Sequence, residues 1–428
     1  MSFFNRSTAW GLLLLAFALP FVAGCDSDAL SDANPRVSDA DPLFDRYVSI
    51  GNSITAGFQA NGINDVTQNE SYAVLLAEQM ETTFEIPAIR EPGCPPPLEN
   101  ILTGQTVGTV PGGCALREPT TPLALNNVAV PGALTIDVLT NDPTAGASPS
   151  ALTRLVLGGR TQAEAALDAN PTFATVWIGN NDVLGAALAG DPSRITPLDE
   201  FEDQYTQVIG RLEGNGVEGG VLTSVSDVSF IPFLSPGQAY AAAEGQINAF
   251  GSQQSPAWGS FSVDASCAPG ASGANTRVPF SYGFGNLFQQ ALQGADVTLD
   301  CDPDTAPDAL LTLTEAAEII FTLNDYNEFI ENLADERGWA YVDVNPALES
   351  LYLSGAGDAD PANDAVPKFP DVDPDREAGE STFGLWFSED GVHPSAATHR
   401  VVTNLFVDAI NEQYNTSLQT VDAPPLPQ

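Results

Sequence analysis

Basic residues are scarce in this chain. Against 56 Asp and Glu it carries 14 Lys and Arg, Lys368 being the only lysine, and its formal net charge at pH 7 is −42. So dense a polyanion repels a duplex, which excludes nucleic acid as a partner. Its self-repulsion opposes a compact state at low ionic strength and points to a salt-rich, halophilic setting where charges are screened. Histidine is scarcer still, with only His393 and His399. Chemistry that needs a neutral general base near pH 7 therefore has almost nowhere else to go. The five cysteines include no CxxC pair and none has a histidine nearby, so a thiolate metal site is unsupported. There is also no Gly-x-Ser-x-Gly elbow, which argues against the α/β-hydrolase architecture.

The first 24 residues hold one basic residue, Arg6, and an apolar run from Trp10 to Val22 that ends in Ala23-Gly24-Cys25. This reads as a secretory signal over residues 1–24. The run contains Pro20 and is about a dozen residues long, short of the ~20 that span a bilayer. Its end resembles a bacterial lipobox, in which the cysteine becomes the lipidated first residue, so Cys25 is expected to anchor an extracytoplasmic protein to a bacterial membrane. The alternative is an ordinary cleaved signal. Residues 25–45, rich in Asp, Ser, Ala and Pro, are expected to form a flexible tether. The remaining cysteines, Cys94, Cys114, Cys267 and Cys301, are an even set that suits an oxidising compartment. Pairing of neighbours, Cys94 with Cys114 and Cys267 with Cys301, is expected among the three connectivities.

Five short apolar runs are predicted as buried parallel strands: Tyr47–Ile50, Asn127–Val130, Phe173–Ile178, Gly220–Val225 and Ala340–Val344. Helical stripes lie between them. Phe201, Tyr205, Val208 and Leu212 form one; Ile319, Leu323, Tyr326, Ile330 and Leu333 form another, stopped by Gly338. A last helix is predicted from Pro394, burying Val401, Val402, Leu405, Phe406, Ala409 and Ile410. His399 is expected to be a structural or surface residue on it. The alternation predicts a three-layer α/β/α fold with a doubly wound, mostly parallel five-stranded sheet.

One domain, residues 46–415, would carry this sheet, with two insertions and a C-terminal tail at 416–428. The insertion at 86–121 contains the first cysteine pair. That at 226–314 contains the second, with many aromatics, and reads either as a lid beside a substrate cleft or as an excursion packing its own aromatics. Residues 355–380 are acidic and Pro-rich and are expected to be a solvated loop. Asp371, Asp373 and Asp375 lack the glycine and terminal glutamate of a calcium loop, so no metal or cofactor is expected.

In open α/β sheets, residues just after successive strands meet in a crevice. Ser53 follows the first predicted strand, Gly132 the second, and Gly179-Asn180-Asn181-Asp182 the third. A serine hydroxyl needs a base to become a nucleophile, and His393 is one of two candidates. Asp390, three residues earlier, is suited to hold the far nitrogen of the ring.

Taken in order, Gly51-Asn52-Ser53-Ile54, Asn127-Val128-Ala129-Val130-Pro131-Gly132-Ala133, Gly179 to Asp182, and Asp390-Gly391-Val392-His393 resemble the four blocks of the SGNH, or GDSL, hydrolase superfamily. The resemblance runs from Tyr47 to about Asn411 and implies a flavodoxin-like sheet and a serine esterase or lipase. It also implies a catalytic set Ser53, Asp390 and His393, and an oxyanion hole made by the N–H groups of Ser53 and Gly132 and the Asn181 amide. Asn52 and Ile54 depart from the family's Asp and Leu, which bears on subfamily rather than chemistry. The partner implied is a small-molecule or lipid ester. Other readings are a glycan O-acetyl esterase, an acyltransferase using the same groups, and a lipoprotein that only binds glycans or partner proteins.

Overall fold

The computed structural model describes residues 41–118, 124–305, 307–354, 365–372 and 381–427. Its centre is a sheet of four parallel strands, β1 (Tyr47–Gly51), β2 (Phe173–Trp177), β3 (Gly219–Thr223) and β4 (Ala340–Val342), in that spatial order. Tyr47 pairs with Phe173, Phe173 with Gly219, and Val221 with Ala340. The first three strands are buried on both faces, which is why they read as unbroken apolar runs rather than as alternations.

The predicted fifth strand, Asn127–Val130, is a correction. The segment does run beside β1: Ser49 N–H donates to Asn126 O (2.8 Å), Val128 N–H to Ser49 O (3.0 Å) and Val130 N–H to Gly51 O (3.2 Å). It nevertheless makes only an isolated bridge, Ser49 to Asn127. The ladder stops because the Gly51 N–H donates to the side chain of Gln162 (3.0 Å) instead of to the flanking backbone.

The helices that position the site are α1 (Ser53–Ala56), α2 (Tyr72–Gln79), α3 (Gln162–Leu167), α4 (Asn180–Ala189), α5 (Leu198–Glu213), α6 (Gly237–Gln254), α7 (Leu313–Arg337), α8 (Asn345–Leu353) and α9 (Ala396–Tyr414). They cover both faces of the sheet. On one, Val48, Ile50, Val176 and Leu222 pack with Tyr205 and Val208 of α5 and Leu323 and Tyr326 of α7. On the other, Tyr47, Phe173, Trp177 and Val342 pack with Tyr72 and Leu76 of α2 and Phe406 and Ile410 of α9. Each such side chain contributes ~1.5–3 kcal/mol by leaving water. Helix α7 ends at Gly338 in the left-handed conformation, as its sequence predicts. Helix α9 starts at Ala396 rather than Pro394, because Ser395 is its cap and accepts from the Thr398 N–H.

Two disulfides, Cys94–Cys114 and Cys267–Cys301, follow the expected neighbour pairing. The aromatics of residues 226–314 form a core of their own, with Tyr240, Phe250, Phe261, Phe284 and Phe288 packed around the buried Cys267–Cys301 bridge. Two expectations of loose chain need correcting. Within the tether, Pro42–Phe44 form a 3-10 turn that buries Phe44. Within the acidic loop, Val366 and Val372 are buried and Phe369 stacks edge-on against Tyr240, since apolar residues interrupt the charge there. The segment 416–427 folds back along α9: Asn411 brackets Leu418 and Asn404 brackets Val421, each through its Oδ1 and Nδ2. Cys25, Asp373 and Asp375 lie outside the described residues, among which no cluster of His, Cys, Asp or Glu could hold a metal. Among them, too, no helix is long and apolar enough to cross a membrane.

Candidate active site

The turn from β1 into α1 presents Ser53. Asn52 caps the helix, its Oδ1 accepting from the Ile54 N–H (3.1 Å), while its Nδ2 donates to Asn180 Oδ1 (3.1 Å). The two ends of the Asn52 amide thus tie the start of α1 to the start of α4. A Cβ at Gly51 would fall on the Thr55 hydroxyl and the Trp177 carbonyl, so the turn requires glycine there. Ser53 is first in α1, so its N–H has no place in the helix's own ladder.

His393 arrives from the loop before α9. Its Nε2 lies 2.8 Å from Ser53 Oγ and its Nδ1 2.8 Å from Asp390 Oδ2, and the Phe58 ring packs edge-on against it at 5.0 Å. Asp390 is buried and receives further bonds. Its Oδ1 accepts from the N–H groups of Val392 and His393 (both 2.9 Å) and the Ser388 hydroxyl (3.1 Å), and its Oδ2 accepts from the Asn61 N–H (2.6 Å). Burial alone would raise its pKa, but the His393 charge and the bonds from His393 and the Val392 N–H outweigh it and hold the carboxyl down at about 2. Asn61 and Ala60 both have positive φ, 56° and 51°, and the Ala60 N–H donates to Ser388 Oγ. That tight left-handed corner aims both amides at the Asp390 loop, and no composition signal announced it.

The loop after Asn127–Val130 forms a type II turn, with the Ala133 N–H donating to Val130 O, Pro131 second and Gly132 third at φ +82°. Two side chains from the start of α4 fasten it. Asn181 Nδ2 donates to Ala133 O (2.8 Å), leaving its second N–H to face elsewhere, and Asp182 Oδ2 accepts from the Thr135 N–H (3.0 Å) and hydroxyl (3.1 Å). Burial pushes Asp182 up to about 6, against the bonds from Thr196 and Thr135. Its clamping position was not read from the sequence, although it closes the Gly179–Asp182 motif. His399 is fully buried, its Nδ1 accepting from the Tyr72 N–H (3.2 Å). Burial, and then the charge of His393, lower its pKa to about 3, so it stays neutral and structural.

Beside Ser53 and His393 opens an apolar cavity of about 110 Å³. Trp177, Val228 and Ile231 line one part, Leu348 and Leu351 of α8 and Val401 and Leu405 of α9 another, and Leu426 joins them. The aromatics of residues 237–314 are absent from this lining and pack on one another, so of the two readings of the large insertion the excursion with its own aromatic core agrees with the structure and the aromatic lid does not. Among the described residues of the insertion, only its first, Ser226, Val228 and Ile231, reach the cavity.

No protein-family profile matches the chain, and no curated protein matches it. Among solved structures it is similar to Axe2, an acetylxylan esterase from Geobacillus stearothermophilus, at 14% identity over 85% of this chain and 93% of that one, with TM-score 0.35. It is also similar to a putative GDSL-like lipase from Parabacteroides merdae, at 9% identity over 85% of this chain and 95% of that one, with TM-score 0.35. Likeness this remote carries no assignment.

Proposed function

We propose that this chain is a serine carboxylic-ester hydrolase of the SGNH type. What supports the reading above all is the file Ser53–His393–Asp390, with 2.8 Å at each link. In the proposed reaction His393 Nε2 takes the Ser53 proton as Oγ bonds to the ester carbonyl. The tetrahedral oxyanion is met by the N–H groups of Ser53 and Gly132 and the free N–H of the Asn181 amide. Collapse expels the alcohol, which leaves with the proton from His393. Water, deprotonated by the same ring, then cleaves the acyl-enzyme and releases the acid. Asp390 keeps Nδ1 protonated and stabilises the imidazolium.

The apolar cavity favours a hydrocarbon acyl group over the acetyl group of a glycan, since a hydrocarbon gains by leaving water and a polar sugar loses its hydration there. The proposal extends to place: a protein held by lipid at Cys25 outside the cytoplasm, acting on small-molecule or lipid esters. Two disulfides support an oxidising, extracytoplasmic setting. The test is hydrolysis of p-nitrophenyl esters from acetyl to palmitoyl, in low and molar salt, by mature protein and Ser53→Ala. Serine-dependent turnover is expected, and equal rates in the two proteins would falsify the reading.

A further inference from the structure

The segment 416–427 runs antiparallel to α9. Leu418 sits at Asn411, Val421 at Asn404, and the Asp422 carbonyl accepts from Arg400, so the strap travels back toward the end of the helix that follows His393. Asn404 and Asn411 are seven residues apart, two turns on one face, and each uses both ends of its amide on one strap residue. The strap then crosses to α8, where Pro427 O accepts from the Ser350 hydroxyl (3.4 Å). It thereby bridges the two helices whose leucines and valines form the sides of the apolar cavity, and Leu426 enters the lining between them. The cavity is small: about 110 Å³, against the ~150 Å³ of an apolar cavity that takes up benzene. A long acyl chain fills this volume and must then press on a wall or leave through the mouth of the cavity. Leu348, Leu351, Val401 and Leu405 stand on helices, whereas Leu426 stands on a strap held by side-chain bonds.

We propose that Leu426 is the specificity-determining wall of the acyl pocket, closing the gap between α8 and α9 and setting the length of acyl chain the enzyme accepts. The inference rests on the esterase reading above. Its substrate is a carboxylic ester with a short to medium unbranched acyl group, longer chains being excluded by the strap.

The experiment compares kcat/KM for p-nitrophenyl decanoate and butyrate in wild type, Leu426→Ala, Leu426→Trp and Asn404→Ala, with circular dichroism and Tm as controls of folding. Opening the wall in Leu426→Ala should raise the decanoate-to-butyrate ratio about tenfold, a change of the size one or two methylenes make in a hydrophobic pocket. Leu426→Trp should lower the ratio by filling the cavity. Asn404→Ala lies outside the lining and should move the ratio as Leu426→Ala does, by freeing the strap; a merely structural Asn404 would lower Tm and leave the ratio alone. Serine-dependent turnover with an unchanged ratio in all three folded variants overturns the wall and leaves the esterase standing. Absence of serine-dependent turnover in the wild type overturns the esterase reading, and the wall with it.

Discussion

Replacing Asp390 by Asn tests the site at its most heavily bonded atom pair. The carboxylate accepts five hydrogen bonds, three at Oδ1 and two at Oδ2. An amide that keeps Oδ1 facing Val392 and His393 must turn its NH2 toward the Asn61 N–H and His393 Nδ1. Donor then meets donor, and the ring is driven to the tautomer with Nε2–H, which cannot take the Ser53 proton. The native carboxyl sits at about 2 rather than 3.8, roughly two units, which corresponds to roughly 2–3 kcal/mol of stability at pH 7. Because the folded value is the lower one, that stability is present above pH 3.8 and is lost as pH falls toward 2. The variant should therefore be roughly 2–4 kcal/mol less stable at neutral pH, counting the unmet donors, and the deficit should shrink in acid. Its kcat should fall about 10⁴-fold, the loss seen when a triad aspartate becomes asparagine. Urea unfolding between pH 3 and 8 and p-nitrophenyl butyrate kinetics measure the two effects. Combined with His393→Ala the change should cost little beyond the single variant, because the two act as a unit. A folded Asp390→Asn enzyme that kept more than a tenth of wild-type kcat would refute the reasoning.

Asn181→Ala removes the proposed oxyanion donor and the tie to Ala133 O, and should lower kcat about 10²–10³-fold with KM little changed; steady-state kinetics decide. His399 and Asp182 oppose each other in acid. The unfolded chain protonates His399 near 6.5 while the folded one waits until about 3, so stability falls with pH, whereas folded Asp182 gains its proton already at about 6, so stability rises. His399→Gln should thus gain stability relative to wild type as pH falls from 6.5 toward 3, at a slope that approaches ~1.4 kcal/mol per unit, and a pH-independent difference in unfolding free energy would contradict a neutral buried ring. Cys114 is exposed whereas Cys267 and Cys301 are fully buried, so mild reductant should open Cys94–Cys114 first, as mass spectrometry of alkylated protein would register. Loss of either bridge should cost ~3 kcal/mol, given closed loops spanning 20 and 34 residues.

What was legible in the sequence was whatever burial or local chemistry writes directly. Three fully buried strands appear as apolar runs, α7 as a periodic stripe with a glycine stop, and the scarcity of histidine left His393 and His399 as the candidate bases, of which the structure sets His393 beside Ser53. Asn127–Val130 has the composition of a strand, yet its pairing was decided by a side chain 32 residues beyond it, Gln162, which no local pattern announces. The strap reads in the sequence only as a C-terminal tail, because its short, Pro-rich stretch carries no helix or strand pattern. The signal was on the other partner, in Asn404 and Asn411 at helical spacing on a helix whose other face is apolar. The aromatics of residues 226–314 gave their burial but not their direction, and they turned inward on a disulfide rather than toward the cavity.

The Gln162 carboxamide also bears on how copies of this protein meet. β1 is one of the two outer strands of the sheet, and an open edge of unpaired N–H and C=O groups invites a strand from another molecule to extend it. Here the edge is finished by an irregular flank, and the last amide of β1 is satisfied from within by a side chain. An incoming strand would have to strip away both the flank and the amide before gaining one bond of its own. Crowded chains of this protein therefore have little to gain from growth at the β1 edge, even where salt has screened the negative charge that otherwise keeps them apart.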